Sequence, residues 1–224
     1  MVTIPGHTLR APPTVLLAGF DAFGTESVNP SGLAVQALHG LQVAGHTLVA
    51  ATLPTVFHRS LDTLLALLRV HQPVLVVCVG LAAGRQGLSL ERVAVNVDDA
   101  RIPDNAGAQP VDMPVVPGGP AAYFSSLPVK AMHAALQQHG LGVEVSNSAG
   151  TFVCNHVFYG LMHALANQEA MPACRGGFIH VPHLQSDTHP AGWPLARLVE
   201  GLRLAVQCAL TTPTDLRLEA GALA

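Results

Sequence analysis

The sequence predicts an α/β protein, with a mostly parallel sheet covered by helices on both faces. Three observations carry that prediction. Short apolar runs alternate with stretches of helical periodicity along most of the chain. One run, Val74–Val79, is unbroken and rich in valine, as a strand buried on both faces must be. The 21 glycines and 17 prolines fall mainly between such runs, where turns belong.

In chain order, residues 1–13 read as a loose start, because Pro5, Pro12 and Pro13 spoil regular structure. Thr14–Gly19 reads as a short buried strand. Asp21–Pro30 is loop, and Pro30-Ser31 opens a helix to about His39. His46–Leu53 reads as a second strand. Val56, Phe57, Leu61, Leu64, Leu65 and Leu68 recur at helical spacing, predicting a helix from Pro54 to about Val70 that Pro73 ends. The Val74–Val79 strand follows. Glu91–Val97 alternates, so a strand headed by Glu91 with one less buried face is expected. Residues 98–120 are rich in Pro, Gly, Asp and Asn, and a loop that long is usually functional or mobile. Its Asp104–Gly107 portion suits a lid. Helical periodicity resumes over Ala121–Gly140. Val143–Ser146 is a short strand, Cys154 to about Asn167 a helix, and Gly177–Val181 the last strand. Trp193 to about Leu210 is the last helix, followed by a frayed end.

No repeat, low-complexity tract or composition shift divides the chain, so 1–224 reads as one domain. Hydrophobic residues reach 50% and charged residues 11%, which excludes a disordered chain. The net charge is −3, with 11 scattered Lys and Arg. That excludes the basic stripe of a nucleic-acid binder and the basic amphipathic helix of a membrane-surface protein. The low charge density fits a surface partly covered by contacts between subunits, although alanine-rich composition gives the same total. The longest near-apolar stretch, Val74–Gly84, is about half a membrane span. No basic start leads into an apolar segment, so no signal peptide is expected. Cys78, Cys154, Cys174 and Cys208 are far apart with no CxxC, which predicts reduced thiols in the cytoplasm.

In an open α/β sheet, ligands gather at the carboxyl ends of strands. Polar or glycine-rich segments stand at four such predicted ends: residues 19–24, Gly80–Arg85, Ser146–Asn155 and His180–His183. Cys154 differs from the other cysteines. It belongs in the first turn of a helix, whose partial positive charge and open N–H groups favour a thiolate and a developing oxyanion. Cys78 lies inside an apolar strand, where burial disfavours the thiolate. A cysteine nucleophile needs a histidine and a group to orient it. His180, near the end of the last strand, and Glu91, an acid in an apolar context, are candidates. Against them stand plain alternatives: a strand histidine bonded to a backbone carbonyl, and a surface carboxylate paired with Arg92. His180/His183 and His156/His163 superficially look like metal pairs. Pro182 interrupts the first, and neither HExxH nor a Cys-rich pair occurs, so no metal is expected. Gly80–Arg85 lacks the lysine of a P-loop and the full dinucleotide spacing, so no cofactor is expected.

Several long blocks occur in one order: Gly-Phe-Asp-Ala-Phe-Gly (19–24) with Val28-Asn-Pro30; Leu53–Phe57; Glu91–Asn96; Asp99–Asn105; Ser148–Asn155; and Gly176–Pro182. From about Val15 to the last helix the chain resembles the pyroglutamyl-peptidase I (pyrrolidone-carboxylate peptidase) family. The resemblance implies a three-layer α/β/α sandwich around a central, mostly parallel twisted sheet, often assembled as a homotetramer. It implies a cytoplasmic cysteine exopeptidase that removes an N-terminal pyroglutamyl residue without metal or cofactor. By the same resemblance Cys154 falls on the nucleophile, His180 on the general base and acid, and Glu91 on the carboxylate that orients it. Arg101 falls beside the active site, Phe20 and Phe23 on aromatics that bracket the lactam ring, and Leu81, Phe152 and Val153 in the substrate-binding segments. Two positions depart from the pattern: Leu81 stands where glutamine is frequent, and Ala22 where proline is. Two other functions share this architecture: a nucleoside-phosphorylase-like transferase, which needs a phosphate site, and a lactam-binding relative without turnover.

Overall fold

The computed structural model describes residues 12–167 and 173–221. The expected loose start therefore lies outside the described residues, apart from Pro12 and Pro13. In order the elements are β1 (Thr14–Phe20), α1 (Pro30–Ala37), β2 (Gln42–Val43), β3 (His46–Leu53), α2 (Arg59–His71), β4 (Leu75–Leu81), β5 (Leu88–Glu91), β6 (Val93–Val95), β7 (Ala122–Phe124), α3 (Val129–Gln138), β8 (Val143–Ser146), α4 (Val153–Asn167), β9 (Arg175–Val181) and α5 (Leu195–Thr211). Seven strands form one sheet in the order β2-β3-β1-β4-β9-β5-β8, and β6 and β7 form a separate antiparallel pair.

The buried runs become the sheet's centre, where β1, β3, β4 and β9 are parallel. Alternation along them sorts side chains to two faces. Val77, Val79, Ile179 and Leu90 pack under α1, α3 and α5. Leu16, Val76, Cys78 and Phe178 pack under α2 and α4. The result is the three-layer α/β/α sandwich. At the end of β1, Gly19 lets α1 approach, since a Cβ there would lie 2.6 Å from the Ser31 carbonyl oxygen. Ser31 Oγ then accepts the Phe20 N–H at 3.0 Å, and Asn29 caps α1 by accepting the Ser31 N–H.

Four expectations are corrected. First, α2 starts at Arg59, not Pro54. Val56 and Phe57 are buried as their spacing suggested, but in a loop where the N–H groups of Thr55, Phe57 and His58 are taken by side chains from elsewhere. Second, Glu91 does not head a strand; it closes β5. Leu88 and Leu90 face one side of the main sheet, and Ser89 and Glu91 face the other, all four buried. The strand breaks at Arg92, and Val93–Val95 pairs with β7. Third, β7 and the loop to Pro128 occupy the expected start of the third helix, so α3 begins at Val129. Tyr123 of β7 packs on α4 instead, 5.2 Å from the Tyr159 ring and hydrogen-bonded to His163. Fourth, β5 is antiparallel to β9, and β8 runs parallel to β5. The 143–146 strand therefore does not present its carboxyl end beside those of β1, β4 and β9. The short β2, an antiparallel partner of β3, has no local signal.

Residues 98–120 carry no helix, but they fold back on themselves. Asp98 and Met113 form a bridge, and the Ala100 N–H donates to the Pro110 carbonyl at 2.8 Å. Asp104 is buried and accepts N–H groups from Phe57, Ala106 and Ala108. These amides hold its carboxyl below the usual range against burial, which acts in the other direction.

Candidate active site

Cys154 is the second residue of α4 and is partly exposed. Its sulfur lies over the carboxyl end of β4. A Cβ on Gly80 would come within 2.8 Å of Cys154 Sγ and equally close to Phe178 Cζ. Only a glycine lets the sulfur settle there. The first turn of α4 is bolted down on both sides of the cysteine. Val153 is fully buried. Asn155 accepts the Val95 N–H (3.0 Å) and donates to the carbonyls of Val95 (2.9 Å) and Val97 (3.0 Å). The N–H groups of Val153, Cys154 and Asn155 open the helix and have no acceptor in the preceding turn.

His180 projects from β9 on the same face, in register with Gly80 on β4 and Ser89 on β5. Its Nδ1 lies 2.8 Å from Glu91 Oε1. Glu91 is completely buried and His180 nearly so. The carboxylate reaches the imidazole diagonally across the antiparallel pair, a spacing within side-chain reach. Burial alone pulls the His180 pKa down. Hydrogen bonding with Cys154 and Glu91, and their negative charge, outweigh burial and push it up to about 9. With Nδ1 engaged by Glu91, Nε2 is the nitrogen left to meet the sulfur. The plain alternatives fail: His180 is not bonded to a backbone carbonyl through Nδ1, and Glu91 is not at the surface.

The other thiols differ. Burial, and then the nearby Cys154, raise the Cys78 pKa far above the usual thiol range. Burial pushes Cys174 up to about 11, and also raises Cys208 despite its hydrogen bond with Thr212.

An aromatic group stands beside α4. Phe152, just before the helix, lies 5.3 Å from Phe23 and 5.3 Å edge-on from Phe57. Phe20 does not join it. That ring is buried in the core, 6.3 Å from Phe178, which in turn lies 4.8 Å from the His180 ring. Leu81 follows Gly80 by one residue, so strand alternation turns its side chain to the other face. There it lines a cavity of about 300 Å³ with Glu26, Val28 and His183. Arg101 is exposed, and its guanidinium makes no hydrogen bond or ion pair among the described residues. His180 and His183 do not form a metal pair. No cluster of three or more His, Cys, Asp or Glu suited to a metal occurs among the described residues. No helix there is long and apolar enough to cross a membrane.

The profile of the pyroglutamyl peptidases matches residues 13–212. The chain belongs to this family. It is 54% identical over 214 residues to the pyrrolidone-carboxylate peptidase of Cupriavidus necator, covering 94% of this chain and 99% of that one. The Streptomyces coelicolor pyrrolidone-carboxylate peptidase is 52% identical over 214 residues, covering 93% and 98%. Among solved structures, pyroglutamyl peptidase I from Bacillus amyloliquefaciens superimposes with a TM-score of 0.88 at 42% identity, covering 93% of this chain and all of that one.

Four residues at this peptidase-family site escaped the sequence reading as individuals. Gly80 stands at the head of the glycine-rich Gly80–Arg85 segment and Asn155 at the end of the Ser148–Asn155 block, where a polar Asn in an apolar helix is the available signal. The spacing of Phe57 suits a helix face, which hides its place in a loop. The spacing of His156 to His163 suggests a metal pair, whereas it pairs with Asp98 (2.8 Å).

Two outcomes are expected. Gly80→Ala should leave the circular dichroism native but lower kcat by about 10²-fold, since it displaces the sulfur or the Phe178 ring by a fraction of an ångström; wild-type kcat would mean that the sulfur does not sit there in solution. The raised His180 pKa favours the protonated ring, whose contribution is complete below about pH 6.5 and is lost as pH rises through about 9. Accordingly kcat/KM should fall through about pH 9. Glu91→Gln, lacking the charge, should move this alkaline limb to lower pH by roughly 1 unit or more. A limb that stays in place removes Glu91 from the site.

Proposed function

We propose that this enzyme removes an N-terminal pyroglutamyl residue from peptides as a cysteine exopeptidase, through a thioester acyl-enzyme. The observation that carries the reading is the buried Glu91–His180 pair beside the start of α4, with Cys154 near enough to help raise the pKa of the imidazole. A protonated imidazole beside a thiol is the arrangement that yields a thiolate nucleophile.

In this reading the Cys154 thiolate attacks the pyroglutamyl carbonyl. The oxyanion is met by N–H groups of the first turn of α4, where one donor is worth roughly 3–4 kcal/mol in measured cases. His180 gives its proton to the departing amine, then takes one from the water that hydrolyses the thioester. Glu91 holds the ring's orientation and balances its charge. Protein groups and water carry each step.

The lactam is small, neutral and flat. Phe23 and Phe152 offer it an apolar wall, with Val153 packed behind the first turn. Phe20, buried behind the histidine, acts from the floor. A free α-amine would lose its hydration there without a partner, which selects against ordinary N-termini. Arg101 serves the site from the surface, at the mouth. Since Leu81 turns its side chain away, its part is played by backbone, which makes the departure from glutamine tolerable.

The whole chain is read as one peptidase domain, with residues 98–120 as an active-site loop. Exposed Ile102, Val111, Met113 and Phe124 support assembly of copies into a dimer or tetramer. Four unbridged cysteines support a reducing compartment, the cytoplasm.

The decisive assay is release of aminomethylcoumarin from its pyroglutamyl and alanyl amides. Wild type should cleave only the pyroglutamyl amide. Cys154→Ser should lose at least about 10⁴-fold in kcat while remaining folded, as loss of a nucleophile does; cleavage persisting in that variant refutes the assignment. Iodoacetamide in limiting amount should modify Cys154 before Cys78, read by peptide mapping, and the opposite order would overturn the argument from burial.

A further inference from the structure

The reaction leaves a second buried histidine–carboxylate pair unused. His156 follows Cys154 by two residues on α4 and is fully buried. Its Nδ1 lies 2.8 Å from Asp98 Oδ2. Its Nε2 lies 3.1 Å from the His58 backbone nitrogen. A backbone N–H only donates, so Nε2 holds a lone pair and the proton is on Nδ1, donated to Asp98. Both ring nitrogens are thus committed. His180 resembles it in its carboxylate but has Nε2 toward the sulfur. His156 has no capacity left for proton transfer, so its role is geometric.

What it holds is the 54–58 loop. Three N–H groups there are taken by side chains from three segments. Asp21 accepts from Thr55 at 2.7 Å, Asp104 from Phe57 at 2.8 Å, and His156 from His58. His58 has φ 59° and ψ −52°, a strained region that a residue with a side chain occupies only when its surroundings impose it. The His156 ring packs edge-on against Phe57 at 5.5 Å, and Phe57 packs edge-on against Phe152. Asp98 opens the 98–120 segment. One side chain in the turn after the nucleophile therefore ties that helix to the loop bearing Phe57 and to the loop bearing Arg101.

We propose that His156 and Asp98 are a positioning pair, which sets the aromatic wall of the lactam pocket at its distance from the Cys154 sulfur. The proposal rests on the reading of that pocket as the pyroglutamyl site. His156 acts through Phe57 and Phe152, so its loss should weaken lactam binding and leave the reactivity of the sulfur in place.

The test uses the full chain and two readouts. One is the rate at which iodoacetamide alkylates Cys154. The other is the concentration of 2-pyrrolidone, the bare ring, that halves this rate. His156→Leu should need about 10-fold more 2-pyrrolidone, a loss of about 1.4 kcal/mol of binding, with an unprotected alkylation rate close to wild type. KM for the pyroglutamyl amide should rise more than kcat falls. Asp98→Asn retains an acceptor for Nδ1–H and should recover most of the affinity. Unchanged protection in His156→Leu overturns the proposal. So does a fall in alkylation rate and kcat at unchanged protection, since His156 would then serve the sulfur itself. If His156→Leu does not fold, His156→Gln decides. It can still accept from His58 but lacks the ring against Phe57, so weaker protection supports the pair and wild-type protection overturns it. A wild type protected by 2-pyrrolidone yet without turnover would fault the peptidase reading while the positioning test still runs. A wild type that 2-pyrrolidone does not protect overturns the proposal directly.

Discussion

A carboxylate sealed from water must be met by a positive charge or by hydrogen-bond donors. Glu91 is sealed completely, its Oε1 meets His180 at 2.8 Å, and its Oε2 has no partner among the described residues. The imidazole is therefore its main counterpart, and the charged form of the ring is favoured although burial opposes it. The geometry of the site follows from this contact. It fixes which ring nitrogen points at the sulfur, and it depends on β5 running against β9, so that Glu91 lies two residues beyond Ser89, the partner of His180, and opposite Phe178. A parallel β5 would not bring this carboxylate to that place.

The cysteine is held with comparable strictness by contacts that carry no charge. Gly80 leaves room for the sulfur, and Asn155 ties the first turn of α4 to Val95 of β6 through two hydrogen bonds and to Val97, just past that strand, through a third. Rigid support matters because reacting atoms must meet at near-contact distances, and small displacements are expensive in rate. On the pocket side, Asp21, Asp104 and His156 each fix one N–H of the 54–58 loop. Acceptors from three separate segments that each hold one of a loop's donors favour a single conformation for it. Two histidines, each backed by a carboxylate, thus stand near one cysteine with different fates. The partner of Nε2, a thiol or a backbone N–H, decides which is chemical and which is structural.

Much of the architecture was legible in local pattern. Short apolar runs, valine-rich in β4, gave β1, β4 and β9, since a strand covered on both faces has little room for polar residues. Pro30 marked the start of α1. The periodicity after Cys154 gave α4, with the cysteine in its first turn. Pattern misled where a segment's bonding was decided from afar. Val56 and Phe57 kept helical spacing without helix, because distant acceptors took the N–H groups of Thr55, Phe57 and His58. Ala122–Phe124 was absorbed into a helix because an edge pair as short as β6–β7 has too few residues to show alternation. Phe20 and Phe23, three residues apart in one motif, parted company: one entered the core and the other the pocket side.

By itself, the sequence determined the α/β alternation, the buried central strands, the placement of Cys154 at a helix start and the membership of its motif blocks in a family. Those properties depend on residues close together in the chain, where period and turn chemistry act. Tertiary structure alone decided the direction of β5, which of twelve histidines meets the sulfur, and how His156 is spent. The Glu91–His180 bond joins residues 89 apart, and the His58–His156 bond residues 98 apart. No local preference encodes such contacts. They exist because burial forces polar groups from remote segments to satisfy one another.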